Sequence, residues 1–121
     1  LVLNPALWPS GGRPAAILTG DAVALRPIAS GATAVLAVQA KEGGDARGAV
    51  RLGPVDRAAG EAAVILDGIP EAWRDEAVAL TARMAFEQIG LRCLVAAEPI
   101  PGWIAADGRF ILDDKTYWER T

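Results

Sequence analysis

At Pro70 the hydrophobic rhythm of this chain changes, and no other feature limits the fold as much. Before it, apolar residues recur at every second position; after it they recur at every third or fourth. Three segments lead up to the switch: TAVLAVQAK (33–41), GAVRLGPV (48–55) and EAAVILD (61–67). The connections EGGDARG and DRAAG are short, polar and glycine-bearing, so the three read as an antiparallel meander. Pro54 marks the end of the second of these strands or a bulge in it. DAVALRPI (21–28) sets Val23, Leu25 and Ile28 around Arg26 and reads as an earlier strand broken by Pro27, with ASGA as the turn after it. Residues 1–20, rich in proline and glycine, read as an irregular arm ahead of a single domain over 21–121.

Downstream of the switch, PEAWRDEAVALTARMAFEQIG (70–90) reads as one long helix. Pro70 suits the first turn, where its missing N–H costs nothing, and Glu71, Asp75 and Glu76 favour the positive end of the helix dipole. Trp73, Ala77, Leu80 and Met84 form a stripe, widened by Ala82, Ala85, Phe86 and Ile89; Glu76, Arg83 and Glu87 take the opposite side. Gly90 stands where a left-handed cap belongs. The apolar strand LRCLVAAE (91–98) follows at once, which makes 61–67, the helix and 91–98 a right-handed βαβ unit with parallel strands. PIPG breaks the chain, WIAADGRFIL (103–112) reads as a hairpin turning at Asp107-Gly108, and DDKTYWERT as a last edge strand. The fold class is α+β: a mostly antiparallel sheet, one long central helix and one parallel step.

Composition removes several functions. There is no histidine, so Ser-His and Cys-His dyads and the familiar zinc sites are excluded. Cys93 is the only cysteine and lies in an apolar run, so no intramolecular disulfide forms and the thiol reads as structural. A net charge of −3 without any basic cluster gives no footprint for nucleic acid or for an anionic membrane surface. No apolar run approaches the ~18 residues of a membrane span, and the N-terminal stretch has no basic leader, so a cytoplasmic location is expected. Asp107, Asp113 and Asp114 do not make a metal site: Asp107 serves a turn, and neighbours on a strand point opposite ways. The core is expected to hold many alanines around a few large anchors, Trp8, Trp73, Phe86, Trp103, Phe110, Tyr117 and Trp118, and the aromatic C-terminus suits an edge that pairs with a second subunit.

The order of elements over residues 21–112 resembles the GCN5-related N-acetyltransferase (GNAT) family. VALRPI resembles its opening strand, GAVRLGPVDRAAGEAAVILDGIPEAWR its third and fourth strands entering the cofactor helix, MAFEQIGLRCLVAA the end of that helix and the next strand, and DGRFIL the late hairpin. The resemblance implies an acetyl-CoA site at the helix start, where the family carries Arg or Gln, two free positions, Gly, one free position, then Gly or Ala. Arg74 and Ala79 match that pattern, Ala77 replaces its first glycine, Val78 is the free position, and Asp75 and Glu76 bring two carboxylates to it. Glu61 falls where family members often carry a catalytic carboxylate. The helix that supplies the family's tyrosine is replaced by PIPG, Tyr117 is the only tyrosine, and ASGA leaves no room for the two helices that usually follow the first strand. Two function classes remain: a degenerate, non-catalytic acyltransferase-fold module for binding or assembly, forming homo-oligomers, and an acetyl-CoA-dependent N-acetyltransferase acting on an unknown amine.

Overall fold

The computed structural model describes residues 18–29, 33–56 and 58–120. Eight strands form one sheet: β1 (Leu18–Thr19), β2 (Val23–Ala29), β3 (Ala34–Ala40), β4 (Ala49–Asp56), β5 (Glu61–Asp67), β6 (Cys93–Ala96), β7 (Ile104–Ala106) and β8 (Arg109–Asp113). Their spatial order is β1-β2-β3-β4-β5-β6-β8-β7. β3 to β5 make the expected antiparallel meander, β2 pairs antiparallel ahead of it, and β5 and β6 are the single parallel pair. β2 runs through Pro27, which stands at a shift of register rather than at an end. Pro54, after a cis Gly53–Pro54 bond, likewise sits in a bulge, and β4 continues to Asp56. Leu18–Thr19, inside the stretch read as an irregular arm, add a short edge strand; residues 1–17, Trp8 among them, lie outside the described residues.

α1 (Glu71–Arg83) follows β5 and passes at Met84–Ile89 into a wider π-helical segment. That segment ends at Gly90, whose φ of 84° and ψ of 29° are the left-handed cap the sequence announces. The N–H groups of Gly90 and Leu91 both donate to the Ala85 carbonyl at 2.9 Å, which closes the widened turn. The late hairpin turns where Asp107-Gly108 predicts: φ is 51° and 76° at the two residues, and Ala106 faces Arg109 across them.

The last segment departs from expectation. Asp114–Arg120 is a helix, α2, not an edge strand. Asp113 accepts the Thr116 N–H at 2.8 Å, as an N-cap carboxylate does. That bond holds its carboxyl below the usual carboxylate range, the Thr116 side chain contributing most and its backbone next.

Register sorts the sheet into two faces. Val23, Leu25, Leu36, Val38, Val50, Leu52, Val64 and Leu94 point toward α1, and with Ala77, Leu80, Met84, Phe86 and Ile89 form the main core. Alanines are part of this core, as expected, but its large anchors are aliphatic rather than the aromatic ones proposed. Among the described aromatic anchors, only Phe86 is buried; Trp73, Trp103 and Tyr117 pack half-buried at its margin, and Trp118 is 52% exposed. Val78 and Thr81 are buried as well, so α1 hides more of its circumference than the stripe suggested. Mid-helix Thr81 is satisfied by donating to the Ala77 carbonyl at 2.8 Å.

Candidate functional site

β5 and β6 pair over only three registers, Glu61–Cys93, Ala62–Leu94 and Ala63–Val95. Beyond Ala63, β5 continues to Asp67 without β6 beside it, so the sheet splays open under the start of α1. A cavity of about 420 Å³ fills the opening, lined by Leu66, Glu71, Arg74, Asp75, Val78 and the Pro99–Pro101 turn. It adjoins a larger groove of about 650 Å³ that runs along α1 past Ala79 and Arg83 to Trp103, Leu112, Tyr117 and Arg120. The two share Asp75, Val78, Ile100 and Pro101. Where a further helix was judged missing, the described chain indeed passes from β6 to β7 through turns alone.

The structure brings Arg74 and Val78 together at this cleft, with Ala79 on the adjoining wall. Arg74 pairs with Glu98 at 3.8 Å in an exposed contact, which is worth little to stability and partly neutralises the cation at the cleft mouth. Ala77 points the other way and is fully buried in the core. Glu61 is not part of the site. It starts β5 at the end away from the splay, about 20 Å along the strand from Asp67, and its register with Cys93 puts it on the face opposite α1.

The helix start differs from what an anion cradle needs. α1 begins at Glu71, three residues before Arg74, so the N–H groups of Ala77, Val78 and Ala79 belong to its own i→i−4 ladder. Only the first turn has free N–H groups. There Pro70 supplies no N–H, and the Trp73 N–H donates to the Pro70 carbonyl at 2.9 Å. The motif therefore lies one turn inside the helix, and Asp75 adds negative charge to both cavities. These residues do not fit a diphosphate.

Glu76 has a different task, which the sequence reading of helix-dipole support did not foresee. Its side chain crosses to the entrance of β2, where Oε2 accepts the N–H groups of Ala22 at 2.9 Å and Val23 at 2.6 Å. Gly20 passes beneath this carboxylate, and a Cβ there would overlap it. No pattern local to residues 70–90 could reveal a partner more than fifty positions away.

Cys93 is half-buried, and burial pushes its thiol up, followed by Glu61 and Asp113 beside it. Such surroundings make a poor nucleophile. Among the described residues no three Cys, Asp or Glu side chains gather as metal ligands, and no helix is long and apolar enough to cross a membrane.

No protein-family model and no curated protein matches the chain. Solved structures do match. A probable acetyltransferase of the GNAT family from Chromobacterium violaceum superposes with a TM-score of 0.67 at 17% identity, over 88% of this chain and 90% of that one. A spermidine/spermine N-acetyltransferase from Vibrio cholerae gives 0.62 at 13%, over 74% and 69%. A dodecameric form of spermidine N-acetyltransferase from the same organism gives 0.61 at 12%, over 74% and 70%. Identities this low carry the architecture and not the chemistry. The chain has a GNAT-like α+β fold, with β5 and β6 as its parallel strand pair.

Proposed function

We propose that this chain is a degenerate, non-catalytic acyltransferase-fold module, a single domain over residues 21–121 that binds or assembles in the cytoplasm as a homo-oligomer. One observation carries the reading: the residues matching the family's phosphate motif, Arg74 to Ala79, are wound inside α1 with their amides committed to the helix. The diversion of Glu76 into the fold and the position of Glu61 on the far face support it. The dodecamer described for one structural neighbour supports self-association. Titration calorimetry with acetyl-CoA at millimolar concentration tests the loss of transfer. Absence of heat is expected for the native chain and for Ala77→Gly, because that glycine would still sit within the ladder. Saturable heat that Arg74→Ala abolishes would overturn the reading.

That outcome would favour the second reading, an acetyl-CoA-dependent N-acetyltransferase. Its support is the splay of β5 from β6, with Arg74 at the mouth of the cleft and Tyr117 on the wall of the adjoining groove. Spermidine, named for the Vibrio neighbours, is then the first amine to assay.

A further inference from the structure

Both described helices lie on one face of the sheet. α1 packs there directly, and α2 returns there because Tyr117 stacks on Phe86 with ring centroids 4.9 Å apart and packs on the main core. The other face carries no described helix. Register assigns to it Val35 and Ala37 on β3 and Ala63, Ile65, Val95 and Ile111 on β5, β6 and β8, apolar positions on either side of Arg51 of β4; Ala37 and Val95 are buried, and Ile65 stands open. Ile104 extends this interrupted band onto β7. Two of the four exposed large hydrophobic side chains among the described residues are on it, Ile65 at 52% and Ile104 at 54%. Single exposed apolar residues are ordinary, but an apolar band on a sheet face calls for a second layer.

Charge is not spread evenly on this face. Arg26 and Arg51 lie toward the end of the sheet where α1 begins, Arg26 donating to Gln39 at 3.2 Å and Arg51 pairing with Asp67 at 3.8 Å. Asp56, Glu61 and Asp113 lie together at the opposite end, around Cys93. A two-fold axis lying across the strands brings the arginine end of one copy over the acidic end of another, and brings the apolar bands together. Strands of seven or eight residues are about 23 Å long and β2 to β7 spans about 29 Å. That footprint removes roughly 650 Å² per copy, about 1,300 Å² for a pair, within the range of specific interfaces.

We propose that the face without a described helix is the surface on which two copies of this chain pack as a sheet-on-sheet sandwich, antiparallel, with the Arg51 end of each against the Asp56–Glu61 end of the other. This rests on the self-association reading above and adds its surface and symmetry. Sedimentation equilibrium of the full chain tests it. A dimer is expected, with a dissociation constant raised at least about tenfold by Ile65→Asp or Ile104→Asp, each of which puts a charge into the apolar band. Arg51→Glu weakens the dimer, and Glu61→Arg added to the same chain restores it, a reciprocity that misfolding cannot imitate; circular dichroism confirms that each variant is folded. A dimer indifferent to all four substitutions overturns this surface and leaves self-association standing. A chain monomeric at high micromolar concentration overturns both, and one that dimerises only after removal of residues 1–17 gives the face to that segment instead.

Discussion

Glu76→Ala should be among the more costly single substitutions in a polar side chain of this protein, although the side chain sits on a helix and near a cavity. Two backbone donors lose their acceptor. Val23 is buried, and its N–H approaches Oε2 at 2.6 Å, so an orphaned donor there costs about 1–3 kcal/mol. Ala22 is exposed and its N–H turns to water, for a loss nearer about 0.5 kcal/mol. The sum is about 1.5–3.5 kcal/mol, or a fall in melting temperature on the order of 10 °C for a domain of this length. Glu76→Gln keeps one acceptor oxygen and should cost about half as much. Urea unfolding followed by circular dichroism measures both. If Glu76 merely served its helix dipole, a position beyond the first turn would be worth a few tenths of a kcal/mol; a loss below about 0.5 kcal/mol for Glu76→Ala therefore refutes the argument. The same geometry sets a cross-check. Gly20→Ala forces a Cβ into the carboxylate and should destabilise the native chain, yet be nearly silent in a Glu76→Ala background.

Two further expectations concern the acidic end of the sheet. Asp113→Ala should cost about 1 kcal/mol by uncapping α2. Because the folded carboxyl is held low, that stabilisation is present above the usual carboxylate range and disappears as pH falls through the folded value. Unfolding curves of wild type and Asp113→Asn should therefore converge in acid, and a gap that persists there would contradict the cap. Cys93 should react with a disulfide reagent only at higher pH than a free thiol, and Glu61→Gln should move its profile back toward normal. An unshifted profile would show that neither burial nor the carboxylates govern it.

Legibility in the sequence followed the range of the interactions. The Asp107-Gly108 hairpin, the cap at Gly90 and the meander of β3 to β5 are set by neighbours in the chain, and they form where local chemistry places them. α2 was readable in part: Asp113 is a favoured N-cap residue and Asp114 suits a first turn, a signal masked by the aromatic residues that suggested an edge strand. The aromatic anchors failed for a different reason. Size alone does not place a side chain, and on the sheet face that α1 covers the central positions went to Leu25, Leu36, Leu52 and Leu94. At the candidate site, the family resemblance singled out Arg74, which lines the cleft, but it could not show that α1 starts early enough to absorb the motif. Nor could it show that Glu61 faces away, since facing depends on a register with Cys93 that only the folded sheet defines.

The three-rung junction of β5 and β6 also divides the molecule mechanically. On one side are β1 to β5, on the other β6, β7, β8 and α2, and a sheet joined so briefly has a tear line down its middle. α1 with the π-helical segment that continues it is the bolt across it: Leu80, Met84 and Phe86 share a core with Leu36 and Val50 from the first leaf and with Leu94 and Leu112 from the second. Cooperative unfolding of the whole chain thus depends on the side chains of one helix more than on the strands themselves. Loosening that helix would let the two leaves part as separate units, with amides of β6 and β8 exchanging ahead of those in β3 and β4.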